Sequence, residues 1–368
     1  MAEIYIGLMS GTSADSIDCA ALDLSSEEIK VLSCKNFEIP IGLKKDIIQS
    51  SQTEKIEQEL IDDLDFRMAE VLVASVKEII SDSNIKFKDI KAIGSHGQTI
   101  KHEPKSETPY TLQIGDPQKI SNDLNITTVG NYRHDDIKAG GEGAPLTPVF
   151  HNTAFGSDRK HKTIVNIGGI TNITALNYPE LVGFDTGPGN CLMDCWSRMH
   201  NVGNYDDRGS WASSGTINQS LLGLMMEDEY FLRKYPKSTG PDYFSYEWIQ
   251  ENLLKLSKEI LAEDVQATLV QVTVVSLMES INSLNLSNED IYLCGGGVHN
   301  DFLCSEINKH SKTTVSTTLE LGIDPDYVEA ICFGWLAKQR IENKSFNLSK
   351  ITGSRGEVYL GRIFKPSK

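Results

Sequence analysis

A chain of 368 residues is longer than a single hydrophobic core usually grows, so two domains or two lobes are expected. Hydrophobic content of 39% and charged content of 23% are those of a folded globular protein and exclude disorder over most of the length. A formal net charge of −16, with no long basic tract, repels polyanions and excludes nucleic acid and anionic membrane as natural partners; an anionic ligand would need local backbone N–H groups, a metal ion or a few placed cations.

In chain order, residues 3 to 39 read as three strands, EIYIGLM, IDCAALDL and KVLSCKNFEI. Their short connections, GTSADS and SSEE, favour an antiparallel meander. Apolar residues then recur at spacings of three and four, through Ile56, Leu60, Leu64, Met68, Leu72 and Ile79, which predicts a long amphipathic helix from about 55 to 80. IKAIGSHG, residues 90 to 97, suits a buried strand that ends in glycines at a functional edge. KTIVNIGGITNITALN, 162 to 177, repeats the strand, small-residue turn and strand of the beginning. LVGFDTGPGN supplies a third strand, and NCLMDCWSRMH opens a helix. After a mostly helical region from about 209 to 284, IYLCGGGVHN breaks a further strand into glycines, and DYVEAICFGWLAKQR forms a last helix. The recurrence predicts duplication of one α/β unit around a shared cleft. AGGEGAPLTPVFH, rich in Gly and Pro, marks the crossing between the halves near 140 to 160.

Seven cysteines without a CxxC pair suggest neither a disulfide framework nor a zinc site, and Cys191 and Cys195 read as small apolar residues. The start MAEIYIGLMSG lacks the basic region of a signal peptide, and no stretch reaches the ~20 apolar residues of a membrane span. A cytoplasmic location is the expectation.

Several short stretches carry chemistry. In GTSADSID the residues Gly11, Thr12, Ser13 and Ala14 can turn backbone N–H groups and hydroxyls toward one phosphate. Asp15 and Asp18, on either side of Ser16 and Ile17, suit such a site if a divalent cation such as Mg²⁺ lies between, held directly or through water. The same residues also make an ordinary polar hairpin turn. A second turn at Gly168 and Gly169 would close on the same phosphates, and Gly295, Gly296 and Gly297 leave a flat surface for a ring or ribose. There is no GxGxxG and no Gly-Lys pair, which excludes the dinucleotide fingerprint and the P-loop.

Asp185, in GFDTGPGN, follows apolar residues and precedes an open turn, a sensible seat for a general base; the alternative is a cap on the helix that begins near Asn190. His96, in GSHGQTIKH, either reaches a sugar hydroxyl or is a satisfied structural group. Arg133 suits bidentate recognition of a carboxylate, or pairs with Asp135 and Asp136. Glu329 lies on a mostly apolar helix, where a lone acid commonly turns outward.

Together MSGTSADSID, GSHGQT, LQIGDP, YRHDDIKAGGEGAPL, NIGGITNIT, GFDTGPGN, CGGGVHN and DPDYVEA resemble the anhydro-N-acetylmuramic acid kinases, in order from residue 5 to about 340. The resemblance implies an α/β, two-lobed actin-like ATPase fold of duplicated ribonuclease H-like domains around a nucleotide cleft. Residues 1–145 would be the N-terminal lobe with the first phosphate loop. Residues 146–368 would be the C-terminal lobe, with a helical insert, the nucleotide side and the catalytic aspartate.

It further implies ATP and Mg²⁺ as cofactors and a 1,6-anhydrosugar from cell-wall turnover as substrate. Water attacks C1 with Asp185 as base, and O6 takes the γ-phosphate to give N-acetylmuramic acid 6-phosphate and ADP. By resemblance, residues 11 to 18 hold the phosphates, with Gly168 and Gly169 on the ATP side, and Gly295 to Gly297 border the nucleoside. His96, Arg133, Asn190 and Glu329 line the sugar side, where Arg133 would answer the lactyl carboxylate. A homodimer is also implied, with the helices between 209 and 284 as its interface. Two positions depart from the family, Ser16 where Gly is usual and Glu142 where Gln is usual, and they bear on affinity and substrate preference. Rival expectations are a kinase for a simpler anhydrosugar such as levoglucosan, an ATP-driven switch like actin, and a metal-free glycosidase with two carboxylates.

Overall fold

The computed structural model describes residues 2–53, 55–83, 85–158, 160–284 and 290–367. The strands in chain order are β1 (Ile4–Ser10), β2 (Ser16–Asp23), β3 (Lys30–Glu38), β4 (Ile90–Glu103), β5 (Tyr110–Ile114), β6 (Thr128–Gly130), β7 (Lys162–Ile167), β8 (Ile170–Leu176), β9 (Val182–Pro188), β10 (Asp290–Cys294), β11 (Val315–Thr317), β12 (Phe346–Asn347), β13 (Glu357–Val358) and β14 (Arg362–Phe364). The helices are α1 (Ile41–Gln52), α2 (Gln58–Ser83), α3 (Pro117–Leu124), α4 (His134–Lys138), α5 (Thr147–Phe155), α6 (Asn190–Met199), α7 (Gln219–Met226), α8 (Glu229–Leu232), α9 (Tyr246–Leu253), α10 (Ala262–Ser283), α11 (Asp301–His310) and α12 (Val328–Ile341).

These elements form two compact units, Met1–Ala154 with Tyr327–Lys368, and Phe155–Asp326. In the first, among the described residues, the strands run β14-β6-β4-β1-β2-β3, with β5 also on β4. β1, β2 and β3 are the antiparallel meander expected from their short connections, and β4 lies parallel to β1. In the second the order is β11-β10-β7-β8-β9, with β7, β8 and β9 antiparallel and β10 and β11 parallel to β7. Both units therefore build the same sheet, a three-strand meander extended by two parallel strands on the side of its first strand. That order is the ribonuclease H-like one, repeated as in the actin-like ATPase fold.

The periodicity that predicts α2 reappears from Leu64 onward as its buried face, with Met68, Leu72, Val76, Ile79 and Ile80 packed in the core of the first sheet, whereas Leu60 is exposed and Ile56 lies ahead of the helix. β4 does not stop at its glycines. It runs on to Glu103, and Gly97, at φ +71, sits where the strand passes from β1 to β5, its pairing with β1 interrupted by a register shift. A side chain at Gly97 would lie 2.4 Å from the Ile114 carbonyl, so glycine serves the crossing rather than an end.

The expected boundary, with 146–368 as one lobe, needs correction at the C-terminus. α12 is buried on nearly every side and rests on the first sheet. A Cβ at Gly7 of β1 would meet the Ala330 carbonyl at 1.8 Å, and one at Gly94 of β4 the Phe333 carbonyl at 2.0 Å. Glycine on both strands brings helix backbone onto strand backbone, and β14 then pairs with β6. The region from 209 to 284 is helical but broken between α8 and α9. Its longest helix, α10, is buried over most of its length inside its own unit, which leaves it no broad face for an interface. No helix among the described residues is long and apolar enough to cross a membrane.

Candidate active site

In the first unit, GTSADSID forms the turn after β1 and the first three residues of β2. Ala14, at φ 51, donates its N–H to the Gly11 carbonyl at 3.0 Å and is fully buried, as is Ile17; the two anchor the turn and leave Thr12 and Ser13 exposed at its tip. The Ser10 hydroxyl donates to Gln98 Oε1 at 2.7 Å and ties the strand end to β4. Asp15 forms an ion pair with Lys44 of α1. Asp18 Oδ1 accepts the Asn36 side-chain amide at 2.7 Å, and the same amide donates to Ser16 Oγ at 2.7 Å. The two aspartates therefore fit a metal poorly as bare ligands. No group of three His, Cys, Asp or Glu side chains able to hold an ion occurs among the described residues.

His96 is 4% exposed, and both of its ring nitrogens are engaged. Nδ1–H donates to the Gly97 carbonyl at 2.9 Å, and Nε2 accepts from Arg133 Nε at 3.0 Å. Burial, and then the Arg133 charge, push its pKa well below the ordinary histidine value, so the ring is neutral. Its face packs on Phe333 of α12, with ring centroids 4.7 Å apart. The imidazole thus orients Arg133, and a direct bond from it to a sugar would need one of these partners to leave.

Arg133 also donates from Nη1 to the Gly143 carbonyl at 2.8 Å. The carboxylates beside it in sequence bind other groups, although the Arg133 charge still acts on Asp136. Asp135 faces Lys138 and Arg362. Asp136 accepts the Gly143 N–H and the Thr352 hydroxyl, each at 2.7 Å, and its pKa is raised chiefly by burial. Glu142 pairs with Lys105 at 2.8 Å, so its charge is answered locally. Glu329 lies in the first turn of α12, half-buried rather than turned outward.

In the second unit three of the expected segments come together at the ends of β7 and β10. The carbonyls of Gly168 and Gly169 accept the N–H groups of Gly189, Asn190 and Cys191 at 2.8–3.1 Å, so the turn receives the N-terminus of α6. Gly295, at φ +80, and Gly297 press against Asn166 and Ile167, where a Cβ would approach within 2.4 and 2.3 Å. Gly296 alone of the three faces open space. Burial pushes the Cys191 thiol up to about 12, in keeping with a structural role.

Asp185 sits inside β9, opposite Asn172 of β8, and is 5% exposed. It is not the cap of α6, whose N-cap is Gly189 without a side-chain bond. Instead its Oδ2 accepts the Thr239 N–H at 3.0 Å, its own N–H donates to the Lys237 carbonyl at 3.1 Å, and its carbonyl accepts the Tyr230 hydroxyl at 2.7 Å. KSTG, residues 237 to 240, is therefore the segment that orients the carboxylate. It lies in the break between α8 and α9, inside the region read as helical; the Lys-Ser-Thr-Gly run was the available signal.

The sequence profile of the anhydro-N-acetylmuramic acid kinases matches residues 3–366. The chain belongs to the anhydro-N-acetylmuramic acid kinase family. Proteins of that name from Coxiella burnetii and Aliivibrio fischeri are each 39% identical to it, over 366 and 365 residues, 98% of this chain and 97% and 99% of theirs. One from Saccharophagus degradans is 38% identical over 369 residues, 99% of each chain. Kinases of this family share the whole length of the chain, both units included.

Proposed function

We propose that this chain is an ATP-dependent kinase that opens the 1,6-anhydro ring of 1,6-anhydro-N-acetylmuramic acid and phosphorylates O6. The observation that carries the reading is the seating of Asp185: a carboxylate inside a rigid strand, aimed by a backbone N–H and capping no helix. Asp185 takes a proton from water as the water oxygen bonds C1. The C1–O6 bond breaks with its electron pair on O6, O6 bonds the γ-phosphorus, and ADP leaves. One ATP and one water are consumed, and N-acetylmuramic acid 6-phosphate, ADP and the proton taken by Asp185 are formed.

Residues 11 to 18 hold the phosphates, with the exposed Thr12 and Ser13 at the tip of their turn. The open face at Gly296 borders the nucleoside. Mg²⁺ that travels with ATP would supply charge neutralisation, with Asp15 and Asp18 the acidic residues of this loop that would meet it through water. Arg133, aimed by His96, answers the lactyl carboxylate, and Asn190 and Glu329 complete the sugar contacts. The role is recovery of cell-wall fragments in the cytoplasm.

The test is ADP release from Mg²⁺ and ATP with and without the anhydrosugar, for the native chain and Asp185→Asn. Turnover should require the sugar and drop about 10²-fold or more in the variant, the scale of general-base catalysis. Equal ADP release without sugar would favour the ATP-driven switch, and an unimpaired variant would remove Asp185 from the base role.

A further inference from the structure

We propose that Lys237 is a positioning residue for Asp185, holding the base in place through its backbone carbonyl and through the Tyr230 that its ammonium and the Asp185 carbonyl share. The inference rests on the kinase reading above and adds to it a residue outside the expected site.

Lys237, Asp185 and Tyr230 form a closed set of contacts. The Lys237 carbonyl accepts the Asp185 N–H, and two residues on, the Thr239 N–H donates to Asp185 Oδ2. The Lys237 ammonium donates to the Tyr230 carbonyl at 3.3 Å and lies 4.5 Å from the centre of the Tyr230 ring. The Tyr230 hydroxyl returns to the Asp185 carbonyl at 2.7 Å. Each member fixes the other two.

Lys237 is 5% exposed, an expensive place for an ammonium. One hydrogen bond to a carbonyl and one aromatic face offset little of that cost, and an apolar side chain of similar length would fill the space more favourably. A buried lysine in such a setting needs a further reason. The charged groups acting on it are Asp185 on β9, Arg233 just beyond α8 and Glu279 on α10. Burial lowers its pKa to about 8, while Asp185, the stronger of the two opposing anions, holds the proton on. Coupling of this kind is mutual: the cation that Asp185 favours must in turn favour the ionised form of Asp185.

Two measurements test this. The first is the pH dependence of sugar-dependent kcat/KM for the native chain, Lys237→Met and Lys237→Arg. Removing the cation should move the acid limb upward by about one unit or more, since an adjacent opposite charge is typically worth ~1–3 units to a carboxyl. Lys237→Met should then lose rate on the acid side of the profile and recover as the pH rises, while Lys237→Arg keeps the limb in place. A loss of rate at every pH with the limb unmoved would mean a merely structural lysine and overturn the proposal.

The second is an NMR titration of ¹³Cε-labelled lysines in the native chain and Asp185→Asn, with the Lys237 signal assigned by its absence from Lys237→Arg. The Lys237 pKa should fall when the aspartate charge is removed, and an unchanged value would overturn the coupling. This arm needs no turnover. If the native chain shows no sugar-dependent ADP release the kinase reading fails, and the titration still decides whether Lys237 and Asp185 act as a pair.

Discussion

Arg133 depends on a neighbour that cannot itself be charged. His96 is buried and neutral, and with its Nδ1 proton given to the Gly97 carbonyl it has a lone pair to offer at Nε2, which receives the Arg133 Nε–H. A guanidinium fixed at Nε and at one Nη presents a defined edge, as recognition of a carboxylate requires. On the proposed function, Arg133→Lys should raise KM for the lactyl-bearing anhydrosugar about tenfold, the weight of one charge-assisted hydrogen bond, and leave KM for ATP unchanged. The same substitution should matter little for levoglucosan, which has no lactyl group. Steady-state kinetics with both sugars decide it, and an equal effect on the two would take Arg133 away from the carboxylate.

The seat of α12 shows how little side chain a tight contact can use. At Gly7 and Gly94 the added Cβ of alanine would lie 1.8 and 2.0 Å from helix carbonyls, with backbone rather than a flexible side chain in the way. Gly7→Ala or Gly94→Ala should therefore cost ~1–3 kcal/mol or more, as overpacking does. Gly223→Ala on α7, where nothing lies within 4 Å, should be neutral or stabilising. Urea midpoints for the three variants would test the contrast.

Such a seat is where the reading of the sequence stops. Spacing identified the buried face of α2 because a helix repeats its contacts every third or fourth residue, and the meanders were legible in their short turns. Neither signal says which sheet a helix joins, so α12 went with the strands that precede it instead of with β1 and β4. The site divides in the same way. Asp185 and the glycine turns stood out by composition, but KSTG orients the base through main-chain groups, and its small polar residues mark a break in the helices without saying which side chain the break serves. Both nitrogens of His96 are likewise engaged by partners that only the fold brings near.

Across the chain, the buried His151 and the half-buried His102 tie stability to pH. Burial lowers His102 and His151 from the ordinary 6.5 to about 3. Between these values the unfolded chain binds protons that the folded chain refuses, so stability falls as pH drops from 6.5 toward 3, by about 1.4 kcal/mol per unit at each fully shifted site. Lys237, at about 8 against 10.5, acts in the alkaline range and adds stability as pH rises between those values. Thermal unfolding between pH 7 and 4.5 should show a falling Tm, and His151→Leu should flatten the slope; a slope unchanged in that variant would assign the acid sensitivity elsewhere.

The chain leaves the first unit at Ala154 and returns to it at Tyr327. A ribosome, which releases residues from the N-terminus onward, therefore delivers all of Phe155–Asp326 before it delivers α12 and β14. The second unit can close its core during synthesis, while β1 and β4 still wait for the helix that covers their glycines. The unit that is begun first is completed last, so a nascent chain carries an unfinished sheet through most of its time on the ribosome.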